Sequence, residues 1–377
     1  MFIKEVSARK IKDSRSEETI EVSVNGCKAS SPSGKSKGIY ENPPYYQSLD
    51  WNIKAINLLK FDFPVNKFED LKNLEDHITK VCGFSNVKQF GANALFALES
   101  AMLKALARSR KKQLWQIINP LARKVPTPLG NAIGGGLHSQ QFEAHPVFQE
   151  FIIIPRGRKF KDKLKNMNEV YEKIGILLKA KNKNDEGAWQ SPLSEEEVLD
   201  LLSRFKSKVK AGVDIAASSF YKDCKYHYHE FDLDAGEQIK YINKLIERYD
   251  LFYVEDPLSE EDFMGFKKIK KKALIAGDDL TATNIGRLRE AIYQDSINAM
   301  IIKPNQNGSL LEVAEIFRLC QKNEIKTILS HRSGETLDSS LADYSFAFQA
   351  DYIKCGISTK WRELKLNRLL QIEQQVS

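Results

Sequence analysis

Cysteine is scarce in this 377-residue chain: Cys27, Cys82, Cys224, Cys320 and Cys355 make an odd count with no C-x-x-C pair. A disulfide framework or a thiolate zinc site is thereby disfavoured, and a reducing cytosol fits best. Long apolar runs are missing too. The longest, 151–155, is far too short to span a bilayer, and the opening 1–15 has no apolar signal core. The expectation is a cytoplasmic protein with no membrane partner. Charge is close to balanced, with 57 basic against 50 acidic residues and a formal net of +7. That mild excess suits an anionic substrate without indicating nucleic acid. The basic clusters 108–112 and 267–272 lie beside helical patterns and lack interleaved aromatics, so they read as solvated faces and no specific nucleic-acid partner is expected. A Gly-rich phosphate turn is absent as well, since NAIGGG at 131–136 does not have the G-x-G-x-x-G spacing. This argues against an open doubly wound sheet.

Two rhythms are present. The first 125 residues mix an alternating, strand-like segment at 18–24 with a Ser/Gly/Lys-rich loop at 30–38 and helical periodicity at 50–59 and 93–107. Lys124 to Pro128, with Pro126 and Pro128, reads as a boundary, giving an α+β domain over 1–125 and a second domain over 126–377. Beyond it, short apolar runs that end in a polar residue alternate with amphipathic helices. The runs are 209–214, 251–256, 273–279, 299–303, 326–331 and 351–354. The helices fall at 194–208, opened by the capping box Ser194-x-x-Glu197, and at 236–249, 285–294 and 310–322.

The polar residues ending these runs are Asp214, Glu255, Asp278, Lys303, His331 and Lys354. Most successive spacings match one βα unit, and the first leaves room for an inserted loop at 221–233. Strand–helix–strand at this repeat predicts parallel strands with right-handed crossovers. Six units after two earlier strands close into an eight-stranded α/β barrel, whose functional residues collect at the strands' carboxyl ends.

Asp214, Glu255 and Asp278, on three consecutive strand ends, make a hard oxygen site of the kind Mg²⁺ prefers. Asp256 and Asp279 are adjacent and face elsewhere in strand geometry, as supporting or capping groups. Lys303, desolvated at the barrel mouth beside a divalent ion, is expected to have a lowered pKa and to serve as a general base, the alternative being a structural lysine paired to a metal-ligand carboxylate. Arg332 and Ser333 offer a cation fork and a hydroxyl for a phosphate, and Lys354 adds a second cation. Glu186 sits in a loop, and Gln149-Glu150 precedes the apolar run FIII.

The strings DSR (13–15), PSG (32–34), QEF (149–151), DEG (185–187), EDP (255–257), GDDL (277–280), SHRSGET (330–336) and IKCG (353–356) occur in order and resemble the motif series of the enolase family over nearly the whole chain. The resemblance implies a small α+β domain, then a barrel whose opening strands depart from pure βα order, placing Glu150 at the mouth. It implies dehydration of 2-phosphoglycerate to phosphoenolpyruvate with two Mg²⁺ ions, in a homodimer or higher homo-oligomer. Asp214, Glu255 and Asp278 resemble the first metal's ligands, and Ser36 the mobile-loop ligand of the second. Lys303 resembles the base that removes the C2 proton, and Glu186 the acid at the departing C3 hydroxyl. Lys354, Arg332 and Ser333 would balance the carboxylate and phosphate, while His138, Gln149, Glu150 and His331 match pocket-lining positions. The chain departs from the family pattern after PSG, where KSKG leads into ENPPYYQSLDW. It departs also at Ser219, Ala188, Pro304 and STKWRELK (358–365). Two other readings stay open at this point: a paralogue acting on a related phosphorylated hydroxy acid, and a low-activity binding or scaffold protein.

Overall fold

A computed structural model of the chain describes residues 1–35, 38–139 and 145–376. Near the N-terminus, alternation produces an antiparallel meander of β1 (Val6–Lys12), β2 (Glu18–Val24) and β3 (Cys27–Ser30). Asn25-Gly26 joins the last two, both residues at positive φ, as a two-residue hairpin demands. Ile20, Val22 and Val24 are fully buried on one face of β2. They pack under the helix Ala92–Ser109, which is apolar nearly all round because the meander covers one side and the C-terminal part the other. Its few polar residues reach across: Glu99 accepts from the Leu310 amide at 2.7 Å, and Asn93 Oδ1 accepts from Asn305 at 2.9 Å.

The rest of the chain forms the barrel. Its strands are β4 (Thr127–Gly134), β5 (Glu150–Pro155), a short β6 (Trp189–Gln190) beside β4, and β7 (Val209–Asp214). A small hairpin sheet of β8 (Tyr221–Lys222), β9 (Lys225–His227) and β10 (Asp232–Leu233) occupies the expected insertion. Then come β11 (Tyr253–Glu255), β12 (Leu274–Gly277), β13 (Ala299–Ile302), β14 (Lys326–Ser330) and β15 (Tyr352–Lys354). The ring runs β4–β5–β7–β11–β12–β13–β14–β15 and closes by pairing β15 with β4.

The strands whose spacing predicted a parallel repeat, β7 and β11 to β15, are parallel throughout. The opening strands depart from pure βα order, as the resemblance implies: β5 is antiparallel to both β4 and β7. The described residues linking β4 to β5 hold a single short turn of helix, Gly136–His138, and a parallel return needs a longer crossover. The reversal puts the first residue of β5, Glu150, level with the last residue of β7, Asp214, its direct register partner. The helix expected at 194–208 is shorter, spanning Glu195–Ser203. Its capping box is present, with Ser194 N and Oγ each 2.9 Å from Glu197 Oε2.

Strand alternation sorts the barrel's side chains. Leu129, Ile152, Ile154, Tyr253, Ala276, Ala299, Ile301 and Ile328 form a separate interior cluster, while Phe151, Ile153, Val254, Met300 and Ile302 pack outward. A period of two carried to the strand ends directs Glu150, Glu255, Asp278, Lys303 and Lys354 toward the barrel axis, while Asp256 and Asp279 lie beyond the ends of β11 and β12, outside that alternation. Outside, three of the five lysines of the 267–272 cluster pair with acids: Lys270 with Glu247, Lys271 with Asp295 and Lys272 with Asp250. Among the described residues no helix is long and apolar enough to cross a membrane.

Candidate active site

At the end of the barrel where these inward residues surface, a cavity of about 280 Å³ opens. Its wall includes Gln149, Glu150, Glu186, Asp214, Asp278, Lys303, His331, Arg332, Ser333 and Lys354. Glu255 lies just beneath, fully buried. Ser36 lies outside the described residues, and so does the His138 side chain.

Lys354 is the electrostatic centre. Its Nζ lies 2.9 Å from Asp214 Oδ2, 2.8 Å from Glu255 Oε2 and 3.3 Å from Glu150 Oε2, all from strands brought together by closure. Burial alone would lower its pKa, but Asp214, Glu150 and Glu255 outweigh burial and hold it well above the ordinary lysine value. Burial also drives the Glu150 and Glu255 carboxyls well above the usual range, with neighbouring carboxylates adding to it. The phenol of Tyr253, two residues back on β11, donates to Glu255 Oε2.

Lys303 caps the short helix Pro304–Asn307, whose Pro304 at the first helical position leaves no amide unpaired, so the departure at this site is compatible with the fold. Its ammonium is bonded to Asp278 Oδ2. The expected lowering of its pKa is not what this arrangement produces. Burial lowers it, but the Asp278 carboxylate more than offsets burial and the pKa is raised. The same contact holds Asp278 below the carboxylate range despite its burial.

Among the described residues, the tightest group of carboxylates is Asp256, Asp278 and Asp279, with ligand atoms within 4.8 Å of one another. It shares only Asp278 with the triad named from the strand ends. Asp256 is already committed, accepting from the Asp278 and Asp279 amides at 3.0 and 2.7 Å, which fits a supporting role. Burial and the adjacent Asp278 push Asp279 up to about 7. On the axial side, Glu255 Oε1 and Asp278 Oδ1 are buried without a hydrogen-bond partner among the described residues. Four axial carboxylates, from Glu150, Asp214, Glu255 and Asp278, face two ammonium groups. Two orphaned carboxylate oxygens and an excess of two formal negative charges fit a divalent, oxygen-seeking cation.

The SHRSGET segment is clamped by the N-terminal part. Ser33 and Gly334 exchange backbone hydrogen bonds of 2.7 and 2.9 Å, and the Ser14 amide donates to Glu335 O at 2.8 Å. A side chain at Gly334 would collide with Asp13 and Ser33. Ser333 Oγ accepts from the Lys35 amide at 2.7 Å and lies 3.3 Å from Arg15 Nη1. Arg332 Nη2 donates to both oxygens of Glu41, at 3.1 and 3.0 Å, so the expected phosphate fork carries an internal counter-charge. Glu186 follows a tight turn in which Asn184 Oδ1 accepts from the amides of Glu186 and Ala188. His331 is buried, and burial followed by the Arg362 charge lowers its pKa well below the ordinary value.

Three participants were invisible to spacing. Glu41 and Lys35 belong to a loop without periodicity, and Arg362 looks like any polar residue of a terminal helix. The available signal was negative: Glu41 and Arg362 are charged residues amid otherwise ordinary loop or helix positions, buried only in the folded chain, and Lys35, itself exposed, takes part through its backbone amide.

Comparison with known proteins follows the same division of the chain. Residues 3–118 match the family model "Enolase, N-terminal domain" and residues 122–377 match "Enolase, C-terminal TIM barrel domain". The curated protein "Enolase" of Ehrlichia ruminantium is 35% identical over 407 residues, covering 98% of this chain and 96% of its own. "Enolase" of Archaeoglobus fulgidus is 34% identical, covering 99% and 98%, and that of Methanothermobacter thermautotrophicus is 34% identical, covering 100% and 97%.

Proposed function

This chain belongs to the enolase family and is a lyase, a dehydratase of the enolase type; on that premise we propose that it converts 2-phosphoglycerate to phosphoenolpyruvate. The observation that carries the reading is the convergence of Glu150, Asp214, Glu255 and Asp278 with Lys303 and Lys354 at one barrel mouth, beside Arg332. Mg²⁺ on Asp214, Glu255 and Asp278, with a second ion at Ser36, would supply positive charge against the enolate as it develops.

The chain's own groups divide the remaining work. Arg332 and Ser333 receive the phosphate, and Glu41 must share or yield the guanidinium when they do. Lys354, kept protonated by its carboxylates, offers a fixed positive charge near the substrate carboxylate. Lys303 takes the C2 proton. It can do so only as the neutral amine, so its contact with Asp278 must loosen in the working complex. Glu186 then gives a proton to the departing C3 hydroxyl, while Gln149, Glu150, His138 and His331 line the pocket. A lysine base with Mg²⁺ is a pattern already described for the enolase superfamily. We place the boundary between capping and catalytic domains at 125/126, and expect a cytoplasmic homodimer or larger homo-oligomer, checked by light scattering.

The test is turnover of 2-phosphoglycerate followed by enol-product absorbance. Activity should require Mg²⁺, vanish in chelator, and fall by about 10²- to 10⁴-fold in Lys303→Ala, the usual contribution of a general base. Turnover that survives chelation or the Lys303 change would refute the mechanism. Turnover of a different phosphorylated hydroxy acid alone would refute the substrate.

A further inference from the structure

We infer that Arg362 is a positioning residue that locks His331 as a neutral imidazole with its proton on Nε2, so that the cavity wall presents an uncharged N–H donor at that point. His331's place as a substrate contact rests on the reading of the cavity given above; its tautomer does not.

The inference follows from donor and acceptor chemistry. Arg362 lies in the first turn of the final helix, Lys360–Val376, and is fully buried. Its Nε is 2.8 Å from His331 Nδ1. A guanidinium carries five N–H donors and no acceptor, so Nδ1 must supply the lone pair and the ring's single proton must sit on Nε2. The tautomer is therefore dictated by the partner.

Arg362 has no freedom to turn away. Nη2 donates to the carbonyls of Arg332 and Ser333 at 3.3 and 3.2 Å, and Nη1 to Thr359 Oγ1 at 3.2 Å. The His331 amide is bound to Lys354 O at 2.9 Å, which fixes the other end of the residue. One helical turn on, Lys365 pairs with Glu335 at 2.6 Å and donates to Thr336 O at 3.1 Å. The same helix face thus holds the 331–336 segment at both ends.

The surroundings oppose a second proton on the ring. The charged groups acting on it are Arg362 from the final helix, Lys354 at the end of β15, Lys303 beyond β13, and the carboxylate of Glu186 from the loop before β6. Three cations against one carboxylate, in a site shielded from water, disfavour imidazolium. A donor of this kind can orient a substrate oxygen without adding to the site's charge.

The experiment reads the ring directly. The ¹⁵N-histidine protein has six histidines, and His331 is assigned by its disappearance in His331→Gln. Long-range ¹H–¹⁵N correlation should show the neutral Nε2–H tautomer, unchanged from about pH 5 to 8, the range in which an ordinary histidine changes charge. Arg362→Met should yield mixed tautomers, a His331 that titrates in that range, and a new acidic limb in the pH profile of kcat/KM. Its kcat/KM should fall by about 10- to 100-fold, typical for loss of a group that orients a site ligand, and Arg362→Lys should restore part of the tautomer bias. An Nδ1–H or doubly protonated ring in the unmodified protein refutes the inference. So does an Arg362→Met protein with an unaltered His331 spectrum. The unmodified protein decides the matter if the variant does not fold, and the spectrum is read whether or not 2-phosphoglycerate is turned over.

Discussion

Replacing Lys354 by Met tests how much of this site's stability rests on one buried ammonium. The two side chains are similar in length, so the change removes charge rather than volume. Three carboxylates, from Glu150, Asp214 and Glu255, lose their shared cation within a region about 5% exposed or less. Removing one partner of a buried ionic group costs about 3–5 kcal/mol, because the remaining charges are left uncompensated. For 377 residues at about 2.1 cal/mol/K of unfolding entropy each, that is about 0.8 kcal/mol per degree, so a 4 kcal/mol loss lowers Tm by about 5 °C. The assay is differential scanning calorimetry in chelator. The deficit should be largest at alkaline pH and shrink in acid, where Glu150 and Glu255, whose pKa burial has raised, take up protons. Adding Mg²⁺ should recover much of it, since a divalent ion restores positive charge to the same carboxylates. A Tm equal to wild type in chelator, or a deficit indifferent to both pH and Mg²⁺, would refute the electrostatic account.

Asp338 and Lys104 join the two parts of the molecule at 2.8 Å, and although burial raises the Asp338 pKa, Lys104 and the Ser340 hydrogen bonds bring it down to about 2. A depressed carboxyl stabilises above its unfolded pKa and loses that contribution as pH falls through its folded value. Asp338→Asn should therefore cost about 2 kcal/mol at neutral pH in urea unfolding, and close to nothing near pH 2; a constant penalty would contradict this. Glu99 shows the opposite sign: burial, then the Glu75 charge, raises it, so the native state holds a proton whose retention costs more as pH rises. Glu99→Gln keeps an oxygen for the Leu310 amide without the charge. It should gain at least about 1 kcal/mol on wild type between pH 5 and 8, and a variant that loses ground over that range would show the carboxyl to be ionised.

Much of the architecture was legible in the chain. The runs ending at Asp214, Glu255, Asp278, Lys303, His331 and Lys354 lie on strands or one residue beyond them, because a βα unit repeats its hydrophobic period and its polar terminus in every copy. Strand period also explains why Glu150, Glu255 and Lys354 share the axial face of the barrel. The reversal of β5 was not legible in the spacing, since strand direction depends on the connection and not on the strand's own residues. The protonation of Lys303 was misjudged for a related reason: spacing shows that a lysine ends a strand, but not that Asp278 lies against it.

What the sequence alone determined is therefore local and periodic: where strands and helices fall, which residues end them, and which ordered motifs resemble enolase. What only tertiary structure decided is which charges meet. Closure of β15 on β4 brings Lys354 to carboxylates as far as 204 positions earlier in the chain, at Glu150. Docking of the final helix sets Arg362 against His331, and the N-terminal loop lays Glu41 on Arg332. Electrostatic energies depend on distance and burial, and both are properties of the folded chain.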